Sequence, residues 1–237
     1  NARWLFGAPG ADLAIEGEVL LRAAEGLAAF PGFAFGRGDV RFDPQVTSFG
    51  GQTTDPQGDA RFAVALPRVD DPAHPLEIVV AARVTEGSGR PVERAITRPL
   101  APAAPMLGIR PLFTGAAAQG AEARFALVAV GPDEAPVPMP VRWTLNRIQT
   151  DYQWYQQWGN WSWEPVETRT PIARGAATLG TRPLEIGAPV DWGRHELVVE
   201  QAGGPAASSI RFDAGWYAPA DTTTTPYGAV IPGKTQR

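Results

Sequence analysis

Leu13-Ala14-Ile15-Glu16-Gly17-Glu18-Val19-Leu20-Leu21-Arg22 sets apolar residues at 13, 15, 19 and 21 against polar ones at 16, 18 and 22. A period of two is what a strand shows when one face meets a core and the other meets water. The pattern repeats outward from this stretch. Gly36 to Gly38 marks a turn before Val40-Arg41-Phe42. Asp55-Pro56-Gln57-Gly58 is a tight turn, because proline fixes one φ and glycine accepts a positive one. Phe62, Val64 and Leu66 then alternate inward. Residues 76–85 read as a further strand, apolar on both faces at Ile78-Val79-Val80, and residues 91–98 as another. Residues 20–30 are rich in alanine and compete as a helix, but they are too short and too glycine-interrupted to be more than a turn or loop.

Ala101-Pro102-Ala103-Ala104-Pro105 is a stiff, solvated Pro/Ala run that joins a core poorly. It divides the chain into residues 1–104 and 105–217, followed by a tail at 218–237. Strand patterns resume over 107–113, 123–130, 141–149, 183–189, 195–201 and 209–216. The tail carries four successive threonines (Thr222 to Thr225) and Pro226, has no periodicity, and is expected to be extended. Short strands separated by turn signals predict an all-β chain of two tandem antiparallel sandwiches.

Composition fits that class. The 237 residues include 26 glycines and 24 prolines, which limit element length, since proline is costly in helices and central strands. The net charge of −4 comes with no basic stripe, so nucleic acid is not an expected partner. No apolar run approaches the roughly 20 residues of a membrane span, and no membrane contact is expected of this segment. Without cysteine the segment holds no disulfide, thiolate metal site, cysteine nucleophile or thioester. The chain begins at Asn1 and reads as an excised segment, so its lack of a signal peptide carries no information.

Six of the eight tryptophans lie between Trp143 and Trp192. The densest stretch runs Asp151-Tyr152-Gln153-Trp154-Tyr155-Gln156-Gln157-Trp158-Gly159-Asn160-Trp161-Ser162-Trp163-Glu164. With Gly159-Asn160 as a two-residue hairpin loop, Trp158 faces Trp161, Gln156 faces Trp163 and Trp154 faces Pro165. Alternation then puts Tyr152, Trp154, Trp158, Trp161 and Trp163 on one face. That face is either a packing device, closing a sandwich edge or docking a neighbouring domain, or a platform for sugar rings or a partner. Apolar patches of such size are usually covered on soluble monomers, which favours packing.

Catalytic constellations are not evident. His74 sits in a turn-like segment and reads as a solvated loop histidine, while His195 enters a strand. No Gly-x-Ser-x-Gly elbow and no His-x-x-x-His spacing occurs. Glu164 and Glu167 flank the tryptophans, but three residues apart on a strand they face opposite ways and make a poor glycosidase pair. Asn160-Trp161-Ser162 matches a glycosylation pattern that is expected to be chance here. No catalytic residue, cofactor site or metal site is predicted.

Several motifs stand in a set order: Trp4-Leu5-Phe6-Gly7-Ala8-Pro9, Gly108 to Phe113, Arg142 to Leu145, Tyr152 to Tyr155 with Gly159 to Trp161, Pro189 to Arg194, and Arg211 to Trp216. In these the chain resembles the bacterial α2-macroglobulins. The resemblance covers the chain to about Trp216. It implies macroglobulin-like (fibronectin/Ig-like) sandwiches from the N-terminal half of a periplasmic or inner-membrane-anchored protease trap. Such a protein is cleaved in a bait region, changes conformation and captures the enzyme, in many members with a Cys–Gln thioester. On that basis the segment is a non-enzymatic scaffold whose partners are neighbouring domains of the same chain and, for the full-length protein, target proteases. The rival expectation is a carbohydrate-binding or adhesive module using the tryptophan face. The first sandwich is expected to lack its first strands.

Overall fold

The computed structural model describes residues 1–67, 69, 73–87, 89–157 and 160–215; residues 154–157 and 160–162 are described by backbone alone. Among these residues every helix or strand element is a strand, as the alternating sequence predicts. The first half contributes β1 (Ala14–Ala23), β2 (Ala34–Phe35), β3 (Gln45–Thr53), β4 (Leu76–Thr85) and β5 (Pro91–Pro99). All but β2 form one antiparallel sheet, ordered β3-β1-β4-β5. Gly17, Val19 and Leu21 turn to its buried face, while Glu16, Glu18 and Arg22 are exposed, as the period of two requires. Residues 1–13 and 54–67 pack against that face as coil. Phe62 meets Phe49 of β3 with ring centroids 4.8 Å apart, and Ala2 donates to the Gly58 carbonyl at 2.7 Å.

Two expectations for this half need correction. Residues 59–67 alternate in burial to Val64, but they join no ladder and Leu66 is exposed. They lie across the face of the sheet, where Phe62 meets Phe49, rather than beside one of its edges. The polar run of β3, exposed along most of its length, gives no amphipathic signal. His74, expected in solvent, is half-buried, with Nε2 2.6 Å from the Val40 carbonyl oxygen. The turn at residue 55 is as predicted: Gly58 N–H donates to the Asp55 carbonyl at 2.9 Å, and the Asp55 carboxylate accepts from Gln57 and Asp59.

The second half contributes β6 (Met106–Pro111), β7 (Ala117–Ala118), β8 (Glu122–Val130), β9 (Met139–Gln157), β10 (Asn160–Leu179), β11 (Leu184–Pro189), β12 (Gly193–Gln201) and β13 (Ala207–Gly215). A sheet ordered β10-β9-β12-β13-β7 faces one ordered β11-β8-β6-β2, and their inner faces make a sandwich core. That core holds Leu107, Ile109, Leu127, Leu145 and Leu197, all nearly inaccessible to water. Phe113, Phe125 and Phe212 meet as a trio with centroids 5.2 to 5.4 Å apart.

The expected pairing of the long hairpin is also corrected. Asn160 pairs with Gln157, Trp161 with Gln156, Trp163 with Trp154 and Pro165 with Tyr152, so the two residues between the strands are 158 and 159. Register is set at the base of the ribbon, where Leu145 is locked in the core, rather than by the tip residues. Moving the loop by one residue shifts each pairing by two and leaves strand parity unchanged. Ile172 is the extra residue of a bulge between Pro171 and Ala173.

Candidate functional site

The feature that ties the two halves together is the segment 24–38, which leaves the first sheet after Ala23 and is built into the second sandwich. Ala34 and Phe35 pair with Ile109 and Gly108, so β2 is the edge strand of the β11-β8-β6-β2 sheet. The strap then passes to the other sheet. Gly36 N–H donates to Ser208 Oγ at 2.7 Å, Ser209 N–H donates to the Gly36 carbonyl at 3.0 Å, and Gly38 N–H donates to Ser209 Oγ at 2.9 Å. Ser208 Oγ in turn donates to the Leu107 carbonyl on β6. One short segment thus stitches both sheets along the same side of the sandwich. β7 pairs β13 only at Ala214 and Gly215, which leaves Ser209 on β13 for this contact.

The strap also covers apolar surface. Along β8, Phe125, Leu127 and Ala129 face the sandwich core, so Ala126, Val128 and Val130 point to the outer face. There they are buried under Leu27, Phe33 and Phe35, with Phe30 and Met106 packed alongside. The Phe35 ring lies where a Cβ on Gly108 would stand, 2.8 Å away, so a side chain at 108 would displace it. Phe30 meets Phe33 and Phe35 edge-on at 6.3 and 6.2 Å, and the Arg110 guanidinium lies 4.7 Å from the Phe33 ring centre.

Gly36 sits at φ +88°, with the Ala73 carbonyl and His74 packed where a Cβ would go. His74 then reaches Val40, and Ala24 N–H donates to the Pro75 carbonyl at 2.8 Å. Leu21, Leu76, Leu100, Pro102, Met106 and Pro205 line a cleft of about 290 Å³ beside this junction. Pro102 of the Pro/Ala run is buried, while Ala101, Ala103, Ala104 and Pro105 are exposed. Arg37 forms a short ion pair with Asp39 at 2.7 Å, and its hydrogen bond holds that carboxyl below the usual carboxylate range.

Of the predicted aromatic face, Tyr152 and Trp163 come together diagonally across the ribbon, centroids 5.2 Å apart at 73°. They are 61% and 55% exposed. The side chains of Trp154 and Trp161, and the whole of Trp158, lie outside the described residues, as does the tail at 218–237. Glu164 is exposed, whereas Glu167 is tied to Arg211 at 3.1 Å and Arg169 at 3.4 Å. The same two arginines hold the buried carboxylate of Glu196, at 2.9 Å from Arg169 and 3.2 Å from Arg211. His195 is wholly buried, stacked on Phe212 at 5.4 Å. Its Nδ1 donates to the Gly193 carbonyl at 3.1 Å, and Nε2 has no hydrogen-bond partner among the described residues. Burial is the main influence on the ring and pushes its pKa down.

The strap went unread in the sequence because Leu27, Phe30, Phe33 and Phe35 fall in a stretch without periodicity. The signal that could have found it lies elsewhere. Phe125-Ala126-Leu127-Val128-Ala129-Val130 is apolar at every position, as a strand covered on both faces must be.

Comparison with known proteins places this arrangement. Residues 1–102 match the bacterial alpha-2-macroglobulin MG5 domain, and residues 108–216 match bacterial macroglobulin domain 6. The alpha-2-macroglobulin of Xylella fastidiosa (strain 9a5c) is 32% identical over 227 residues, spanning 91% of this chain and 14% of that protein. That of Escherichia coli K12 is 30% identical over 240 residues, spanning 90% and 14%. The cryo-EM structure of E. coli alpha-2-macroglobulin in its native conformation superposes with a TM-score of 0.68 at 25% identity, covering 97% of this chain and 15% of that one. The chain spans about a seventh of the length of the curated relatives it matches. Matched along both halves and in its all-β sandwich architecture, the chain belongs to the bacterial α2-macroglobulin family.

Proposed function

We propose that this chain is a scaffold segment of a periplasmic protease-trapping inhibitor, with no catalytic or thioester chemistry of its own. The observation that carries the reading is the strap. Residues 27–35 of one macroglobulin unit supply the cover and an edge strand of the next, so a rotation of either unit strains the other. Such coupling suits a part that holds neighbouring domains at set angles and relays their rearrangement once the full-length protein is cut. Its partners are those domains and, through the whole protein, the captured proteases. The test is incubation of the 237-residue chain with trypsin- and elastase-type enzymes, where residual activity on small substrates and on casein should match the controls. Stoichiometric inhibition by the chain alone would sink the scaffold reading. Periplasmic residence is tested by osmotic-shock fractionation of the native protein.

The exposure of Tyr152 and Trp163 favours a second reading, a carbohydrate-binding face. Their edge-to-face packing offers no flat shared platform for a sugar ring. Titration with oligosaccharides, followed by tryptophan fluorescence, separates the two readings.

A further inference from the structure

The first half presents a second apolar surface, and nothing among the described residues covers it. Trp4-Leu5-Phe6-Gly7 forms a turn closed by Gly7 N–H to the Trp4 carbonyl at 2.8 Å and by Trp4 N–H to the Ala8 carbonyl at 2.9 Å. Its base is fixed by Thr54, whose buried hydroxyl donates to the Gly10 carbonyl at 2.6 Å and accepts from Leu13 N–H at 3.0 Å. The turn holds Leu5 and Phe6 in water, at 109% and 81% exposure, with Phe6 stacked on Trp4 at 6.4 Å. Trp4 in turn lines an open cleft of about 490 Å³ with Phe49, Phe62, Val84, Val92 and Arg94. On β5, Val92 and Ile96 share one face with Arg94 and Arg98, and both apolar residues are more than half exposed. The two guanidiniums donate to the carbonyls of Glu93 and Thr97, and among the described residues no ion pair holds either of them.

We propose that this surface, from the Leu5–Phe6 turn to the Val92/Ile96 face of β5, seats a further domain of the same polypeptide through an apolar ridge that carries a carboxylate. Three observations select that occupant. A rigid turn that exposes two large apolar side chains is costly unless it is covered. The outward apolar face of β8 is covered in cis by an adjoining unit. The relatives matched are about seven times longer than this chain, so tethered domains compete for the surface at high effective concentration. Arg94, between the valine and the isoleucine, and Arg98, just beyond the isoleucine, supply the charge that an acidic residue on the ridge would meet. The inference rests on the chain being a segment of a larger protein, as proposed above.

The test is hydroxyl-radical footprinting of the full-length gene product. Leu5, Phe6, Val92 and Ile96 should lose labelling down to the level of buried Leu107 and Phe125. Phe6→Asp and Ile96→Asp, both at positions exposed within this segment, should restore labelling at the remaining residues while the second sandwich stays protected. Labelling of all four at the rate of open side chains overturns the proposal. So does protection that vanishes on dilution, which would indicate a second copy, or that comes only after a protease is added. Protection lost when residues 216–237 are deleted overturns it in favour of that segment. A full-length protein that traps proteases with these residues labelled refutes only this inference. One that protects them but traps nothing refutes only the trap reading.

Discussion

Replacing Phe35 with alanine removes a ring that belongs to the first half of the chain from a cluster that belongs to the second. The ring is 5% exposed and rests on Gly108 and Val128. A buried phenylalanine withdraws roughly 150–250 Å² from water, which at about 25 cal/mol per Å² corresponds to ~4–6 kcal/mol. The methyl that remains and partial collapse of the site bring the expected loss to about 3–5 kcal/mol. Phe6→Ala is the control, because its ring is almost wholly in water and should change stability by no more than about 0.5 kcal/mol. The assay is urea unfolding followed by tryptophan fluorescence, paired with hydrogen exchange read by mass spectrometry. In Phe35→Ala, peptides from Met106–Pro111 and Glu122–Val130 should lose protection although they lie some 70 to 95 positions away in the chain. A double-mutant cycle with Val128→Ala should give a coupling of about 0.5–3 kcal/mol. The reasoning fails if Phe35→Ala costs less than about 1 kcal/mol or if only first-half peptides exchange faster.

Three further outcomes follow from the same geometry. Ser208→Ala removes the acceptor of Gly36 N–H and the donor to the Leu107 carbonyl, and should cost about 1–3 kcal/mol in urea. An unchanged midpoint would show that the stitch carries no stability. Glu196→Ala leaves Arg169 and Arg211 without their shared buried carboxylate. Because both guanidiniums are about one-third exposed, water screens them and the loss should be about 1–2 kcal/mol, less at high salt. For His195, burial lowers the pKa in the folded chain, so the unfolded chain takes up the proton first. Stability is therefore full above the unfolded value near 6.5 and declines as pH falls toward the folded value, by at most about 1.4 kcal/mol per pH unit. Thermal unfolding across that range should show the slope in the native chain and not in His195→Phe; a slope of equal size in both would assign it to other groups.

The all-β class was legible because β1, β4, β8 and β12 bury one or both faces, and burial writes itself into the side-chain pattern. β3 was not, since an edge strand exposed along most of its length has no reason to alternate. Residues 60–66 show the converse error, alternation without a ladder, because a half-buried coil can turn every second residue toward a sheet. At the hairpin tip a good turn dipeptide competed with pairing fixed at the base of the ribbon, where Leu145 pairs with Ala173, and the longer ladder prevailed. Tyr152 and Trp163 still share a face, because a shift of two preserves parity. The strap was illegible at its own residues and visible only in its footprint, the unbroken apolar run of β8. The buried state of His195 was likewise hidden, since nothing around it in sequence distinguishes a core histidine from a strand-end one.

The stitch between Gly36 and Ser208 spans 172 positions, and this separation has a consequence for biosynthesis. At about 5–20 residues per second, the strap leaves the ribosome roughly 10–30 s before the hydroxyl that receives it. During that interval Phe30, Phe33 and Phe35 have no β8 to cover, and an apolar hook of this kind is a substrate for holding chaperones and a hazard for pairing between nascent chains. The order of synthesis therefore makes the second unit the arbiter of when the first one is finished.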